Sequence, residues 1–205
     1  MNYRMMALLL VSLFSGSASA VDGPAQKLLE QQAETEYCES KVAGRRNRDD
    51  PDWGHMHHYC YALGFQSRAL KSMARPTEFR SNIEQALDNF NYVLSHVSPG
   101  FYMLPEVMIE KGRTLQLAKR TTEATALFTE ALILNPNLTA GYVALADQLS
   151  DTGNKSGALL VVKNGLQHVP DSRALQRRYL TLGGKEPFPG ATPTKQGGEP
   201  QPAKQ

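Results

Sequence analysis

Two consecutive stretches decide the fold: "PEVMIEKGRTLQLAKRTTEATALFTEALILNP", residues 105–136, and "TAGYVALADQLSDTGNKSGALLVVKNGLQHVP", residues 139–170. They align at an offset of 34 residues, the distance from Pro136 to Pro170. The same offset pairs Gly112 with Ala146, Leu115 with Leu149, Ala124 with Ala158, Phe128 with Val162, and Ala131 with Gly165. Small side chains at these places would let helix backbones approach closely, and each proline, which lacks a donor, would halt a helix.

This 34-residue period, with small residues at those places, resembles the tetratricopeptide repeat family. The resemblance covers residues 55–182. It implies an all-α fold: a short right-handed tetratricopeptide-type α-solenoid of about three helix pairs with N- and C-terminal capping helices. Two departures are Met108, where the family carries a bulky aromatic residue, and Lys111 at a normally apolar position. A helical-hairpin array of another type is the alternative.

A third, degenerate unit precedes these two. "ALGF", residues 62–65, offers the Leu-Gly pair of a first helix, and Ala86 with Phe90 offers the small and aromatic residues of a second. Gly64 and Ala86 are 22 residues apart, against 12 between Gly112 and Ala124, so an insertion of about ten residues must lengthen the turn or the helices. The predicted organisation is a signal peptide (1–20), an N-terminal capping helix and loop (21–50), the degenerate repeat (51–104), two repeats (105–138 and 139–172), a C-terminal capping helix (173–183) and a disordered tail (184–205).

The chain opens with the features of a secretory signal. Arg4 precedes an apolar stretch over residues 5–14, and Ala18-Ser19-Ala20 gives the small-residue pattern before a cleavage site. The apolar stretch is shorter than the roughly 20 residues that a spanning helix needs. We therefore expect a periplasmic or secreted protein with no membrane span after cleavage, the alternative being a retained N-terminal anchor.

The sequence has two cysteines, Cys38 and Cys60. In an oxidising compartment an isolated pair predicts a disulfide bond. Two free thiols or metal ligation by the cysteines are the alternatives.

The stretch "HMHHYC", residues 55–60, has two interpretations. His55 and His58 lie three residues apart on one helix face, and Met56 adds a soft ligand suited to copper. However, no second ligand cluster accompanies them, since His96 and His168 are isolated along the sequence. We favour a packed helix whose N-cap is Asp52, with no metal and no cofactor. A periplasmic metal-handling protein that uses His55 and His58 is the alternative.

The family resemblance also implies a concave groove lined by four positions of each first helix. With Leu63 and Gly64 at positions seven and eight, Cys60 takes position four. The implied groove residues are His58, Tyr61, Phe65 and Arg68, then Glu106, Ile109, Arg113 and Gln116, then Ala140, Val143, Asp147 and Ser150. The Lys/Asn clamp with which some family members grip a free carboxylate is absent. We expect a protein partner that presents a helix or an extended segment, the alternative being that the chain's own N-terminal helix or tail fills the groove.

Composition and motifs exclude other classes of function. A net charge of +2 does not indicate a nucleic-acid binder, which usually carries a clustered basic face. No nucleophile elbow, phosphate-binding glycine loop or zinc helix indicates an enzyme. We expect a non-enzymatic adaptor or scaffold for protein–protein interaction. By analogy from the fold, it would serve an envelope assembly such as polysaccharide secretion or pilus biogenesis.

Overall fold

The computed structural model describes residues 49–191 without a break and, before them, residues 32, 36, 38–40, 42, 44, 45 and 47. A 3-10 turn, Pro51–His55, leads into seven helices: α1 Met56–Lys71, α2 Pro76–His96, α3 Leu104–Leu117, α4 Thr121–Leu134, α5 Thr139–Asp151, α6 Lys155–His168 and α7 Arg173–Thr181. The described residues from 32 to 42 are helical as well, and the described part of the chain contains no strand.

The helices form a linear array of pairs. α1 packs on α2, α3 on α4 and α5 on α6, and each pair stacks on the next through its chain neighbours. The first helices α1, α3 and α5 also contact one another in series, and α7 continues that series after α5. The predicted all-α array of three helix pairs is therefore confirmed, while its right-handed twist stays a prediction.

Small residues set the distance between paired helices, as their spacing predicted. A Cβ atom added at Gly112 would lie 2.3 Å from the ring of Phe128 on α4. A Cβ atom at Gly165 would lie 2.7 Å from the ring of Tyr142 on α5. Ala124 and Ala158 have no exposed surface at all. The aromatic rings thus occupy space that only small residues leave free.

The turns within the last two pairs share a left-handed residue. Gly153 has a φ of 82° in the α5–α6 turn, a value that glycine adopts without steric cost. Lys119, its equivalent in the α3–α4 turn, has a φ of 61°. A non-glycine residue pays roughly 1–2 kcal/mol for that conformation, so packing of the pair must hold the turn in place.

The inserted residues of the first unit mostly extend its helices. α1 and α2 contain 16 and 21 residues, whereas the helices of the later pairs contain 13 or 14. α2 begins ten residues before Ala86, but α4 begins only three before Ala124. The tip of the α1–α2 hairpin therefore reaches about two turns beyond the tip of the next pair.

The loop before α1 differs from its prediction. Asp50, not Asp52, caps the 3-10 turn, because its side chain accepts from the backbone N–H of Asp52 at 3.0 Å. The buried Asp52 carboxylate instead accepts hydrogen bonds from the backbone N–H and the hydroxyl of Ser98. Asp52 therefore ties the start of α1 to the α2–α3 loop, a long-range contact that local capping rules do not include.

The array is closed at its C-terminal end. Leu175 of α7 is fully buried, and Tyr179 and Leu182 pack against the same apolar cluster on α5 and α6. Phe188 then folds back to within 6.2 Å of the Tyr179 ring, measured between centroids. Phe188 thus gives residues 184–191, part of the tail that we predicted to be disordered, an apolar contact with α7. Residues 192–205 lie outside the described residues, as does the predicted signal peptide.

The N-terminal segment is bonded to α1. Cys38 and Cys60 form a disulfide bond with a Cα–Cα distance of 5.4 Å, and both residues are buried. The predicted pairing of the two cysteines is what the structure shows, and neither thiol is available as a ligand. Within the described residues, no helix is both long and apolar enough to cross a bilayer.

We predict that replacing both cysteines by serine lowers the free energy of unfolding by about 3 kcal/mol, because the bond closes a loop of roughly twenty residues in the unfolded chain. Urea unfolding of the oxidised wild type and the variant measures this difference. The wild type under reducing conditions should match the variant. An unchanged unfolding midpoint would show that the bond adds no stability.

We predict that Gly112→Ala costs about 1–3 kcal/mol, because the added methyl group must displace the Phe128 ring from a filled core. Gly100→Ala is the matched control, since a Cβ atom there meets nothing within 4 Å. Thermal and urea unfolding of both variants checks the prediction. If the two variants were equally stable, α3 and α4 would be able to accommodate the added methyl group at little cost in free energy.

Candidate functional site

One recurring hydrogen bond defines the frame of the repeats. Gln116 of α3 donates its side-chain amide to the carbonyl of Ala144 on α5 at 3.5 Å. Gln66 of α1 donates to the carbonyl of Glu110 on α3 at 3.2 Å, and Glu110 lies 34 residues before Ala144. Gln66 is therefore the equivalent of Gln116. This places Ala62, rather than Gly64, at the position of Gly112.

The predicted frame of the first unit is thus wrong by two residues. The adjacent letters Leu63 and Gly64 looked like a family motif, but fully buried Ala62 is the small residue at the Gly112 position. The face of α1 that meets α3 carries Gln66 and, two turns earlier, the buried Tyr59. Burial raises the pKa of the Tyr59 hydroxyl, and the nearby carboxylates Glu110 and Glu106 raise it further.

The four groove residues predicted on α1 consequently lie elsewhere. His58 faces α2, where its Nδ1 lies 2.7 Å from the Asn89 side-chain oxygen. Phe65 is half-buried against the core, with the Arg68 guanidinium 4.3 Å from its ring centroid. Tyr61 lies edge-on to His58 at the start of the array.

On α3 the prediction fits in part. Glu106 and Arg113 lie on the concave side, which is the side turned away from α4. Ile109 instead is only 1% exposed and packs near Gly141 of α5, so it is a core residue. Gln116 uses its amide to join α3 to α5, as described above.

The groove residues predicted on α5 make different contacts from one another. Val143 packs into the apolar cluster that α7 covers. Asp147 forms a bidentate ion pair with Arg178 of α7, at 2.8 and 2.9 Å. Ser150 donates its hydroxyl to the Ala146 carbonyl. Of these, only Asp147 presents a charge to the concave side.

The N-terminal half of the concave side is covered by the chain itself. Arg45 contacts Glu106 at 2.6 Å, and its carbonyl accepts a hydrogen bond from the Tyr102 hydroxyl. Trp53 in turn donates its indole N–H to the Tyr102 oxygen at 2.9 Å. The disulfide of Cys38 anchors the same segment. These contacts come from the loop around Arg45, so filling of the groove by the N-terminal helix or the tail stays a prediction.

The other half of the concave side is open, and we call it the open groove. It is a cavity of about 750 Å³. Its lining residues are Gln66, Leu70, Met73 and Phe79 from the α1–α2 hairpin, Glu110, Arg113, Gln116, Leu117 and Lys119 from α3 and its turn, and Asp147 and Asp151 from α5. Leu70 and Met73 are 49% and 65% exposed. The extension of the first hairpin therefore supplies an apolar wall to the groove.

The charges facing the open groove are mostly paired. Arg113 contacts Glu110 at 2.7 Å. Burial raises the pKa of the Glu110 carboxyl, against the opposing effect of Arg113 and of the hydrogen bond with Gln66. Asp147 is held by Arg178, as described above. Lys119 and Asp151 are exposed side chains that form no ion pair with the described residues.

Sequence reasoning missed the apolar wall of the groove. Leu70 and Met73 lie in the insertion, for which the repeat pattern has no equivalent positions. The signal was present as apolar residues inside an otherwise polar hairpin tip, "LKSMARPTEF", residues 70–79. A repeat pattern assigns function only to positions that recur, so it made no prediction for Leu70 and Met73.

His55 and His58, the metal ligands of the alternative interpretation, do not form a cluster of ligands with the cysteines, because Cys60 is in the disulfide. Among the residues that the structure describes, no group of three or more His, Cys, Asp or Glu side chains is placed to hold a metal ion.

No family model matches the chain, and no curated protein matches it. A solved structure with some similarity is the NMR structure of the second TPR domain of the human RPAP3 protein in complex with the HSP70 peptide SGPTIEEVD. The two share 11% sequence identity at a TM-score of 0.43, over 62% of this chain and 99% of that domain. The likeness is too low to support an argument, so the assignment of an array of helix pairs is based on the packing described above.

We predict opposite pH dependences for two carboxylates. Because burial raises the folded-state pKa of Glu110 above its ordinary value of 4.5, its contribution to stability is complete below that value and is lost as pH rises through the folded pKa. The free energy of unfolding of the wild type minus that of Glu110→Gln should therefore fall as pH increases.

Glu123→Gln is the matched control. A hydrogen bond from Arg120 lowers the pKa of the exposed Glu123, so the same difference should rise slightly with pH, as expected for a surface pair. Urea unfolding between about pH 4 and pH 8 measures both differences. Equal slopes for the two variants would contradict the assigned environments.

Proposed function

We propose that this protein is a non-enzymatic adaptor that binds a segment of another protein in the open groove. The observation that carries the proposal is the exposed apolar wall, Leu70 and Met73, opposite paired charges on packed helices. Exposed apolar surface with a polar rim is typical of protein interaction sites. Because the groove crosses α1, α3 and α5, it suits an extended segment or a short helix.

The charges of the groove indicate the chemistry of that segment. An apolar side chain would pack on Leu70 and Met73, where it removes their exposed surface from water. Lys119 and Asp151 are the two groove charges that form no ion pair with the described residues. A segment that carries an apolar residue between one acidic and one basic residue would complement both.

We further propose export to the periplasm or secretion as the setting. The signal-like N-terminus supports it, and so does the disulfide bond, which persists in oxidising compartments. A role in an envelope assembly such as polysaccharide secretion or pilus biogenesis is the finer proposal, argued by analogy from the fold.

We predict that a Leu70→Glu, Met73→Glu double variant loses its partner, because two carboxylates replace the apolar wall of the groove. Ile133→Glu with Leu160→Glu is the matched control, since these residues are 76% and 67% exposed and do not line the groove. Tagged proteins expressed in the native host are cross-linked and purified, and captured proteins are quantified by mass spectrometry. Binding of the identified partner is then measured directly.

The groove variant should bind that partner at least tenfold more weakly, which corresponds to about 1.4 kcal/mol. The control pair should bind within about twofold of the wild type, a difference of less than about 0.5 kcal/mol. Retention of the partner by the groove variant would exclude the open groove as the binding site. Loss of the partner only in the control pair would place binding on the face formed by the second helices.

A further inference from the structure

Four of the chain's five histidines lie together on one surface, at the start of α1 and the end of α2. They are His55, His57, His58 and His96. The fifth, His168, stacks on Tyr142 in the last pair. No histidine lines the open groove, so this surface is separate from the proposed protein-binding site.

Tyr92 on α2 orders this histidine surface. Its ring stacks between His58, at a centroid distance of 3.8 Å, and His96, at 3.9 Å, with interplanar angles of 28° and 17°. Tyr92 and His96 are one turn apart on the same helix. Both imidazole rings are therefore held by packing, and the Tyr92 ring separates them.

One hydrogen bond assigns the tautomer of the neutral His96 ring. Its Nδ1 lies 2.8 Å from the Tyr92 backbone carbonyl, which can only accept, so Nδ1–H is the donor. This leaves Nε2 with a lone pair. Metal-binding histidines commonly show this pattern, in which one ring nitrogen donates to a carbonyl and the other ligates.

His55 lies on the open side of His96. Their ring centroids are 5.2 Å apart, with an interplanar angle of 40°. The His55 side chain forms no hydrogen bond with the described residues, so neither of its ring nitrogens is engaged there. Two imidazoles that bind one ion tetrahedrally, through bonds of about 2.0–2.1 Å, hold their ring centroids roughly 5 Å apart. The observed separation fits this arrangement.

We propose that His55 and His96 form a binding site for a divalent transition-metal ion. Two imidazoles suit Zn²⁺, Cu²⁺ or Ni²⁺, with water or an external group completing the coordination. His58 is not a ligand of this ion, because the Tyr92 ring lies between the His58 and His96 rings. The ligand pair thus joins the two ends of the first hairpin, rather than two neighbouring positions of α1.

The probe is ZnCl₂, titrated into the metal-free protein by calorimetry. We predict one ion per chain and a loss of affinity of tenfold or more for His55→Gln and for His96→Gln, since each removes half of the protein ligands. His58→Gln and His168→Gln are the matched controls and should bind within about twofold of the wild type. Circular dichroism of each variant checks that the helices persist.

A second measurement uses the wild type alone, so that the proposal can be tested even if a variant fails to fold. Long-range ¹H–¹⁵N spectra of the imidazoles should shift for His55 and His96 on addition of Zn²⁺, with His168 unchanged. Shifts at His57 and His58 instead would overturn the proposed ligand pair. If all four variants bind Zn²⁺ as tightly as the wild type, the association is adventitious. If the wild type binds no Zn²⁺, the proposed site does not exist.

Discussion

The close approach of paired helices at small residues is the constraint on which the rest of the structure depends. Gly112 admits the Phe128 ring between α3 and α4, and Gly165 admits the Tyr142 ring between α5 and α6. With each pair held this tightly, the first helices line up, and a glutamine on one reaches a carbonyl of the next. The concave surface therefore follows from contacts made on the opposite side of those helices.

The sequence was sufficient to predict those contacts where the period recurs. The offset between Gly112 and Ala146 predicted the last two pairs, whose second helices end before Pro136 and Pro170. The frame predicted for the first unit was wrong, because Leu63 and Gly64 resemble the motif but Ala62 lies at the position equivalent to Gly112. Only a long-range hydrogen bond, from Gln66 to α3, distinguishes the two frames, and no local pattern contains such a bond.

The candidate site was predictable to a smaller extent. Glu106 and Arg113 follow from the repeat frame and lie on the concave side. Leu70 and Met73 could not be assigned to the groove, because inserted residues have no counterpart in the later repeats from which to infer which surface they occupy. Similarly, His55 and His96 are 41 residues apart, and their proximity depends on the length of the α1–α2 hairpin rather than on spacing along one helix. Sequence spacing relates residues within an element, whereas these sites join elements.

The C-terminal helix has a consequence for assembly. α7 occupies the place that the first helix of a fourth unit would take, and Arg178 binds Asp147 of α5. No second helix follows it in the described residues, because the chain turns at Gly183 and Phe188 packs on Tyr179. An uncovered repeat face would invite copies of the protein to associate end to end. Because α7 covers that face with residues of the same chain, we infer that copies of the protein do not extend the array at this end.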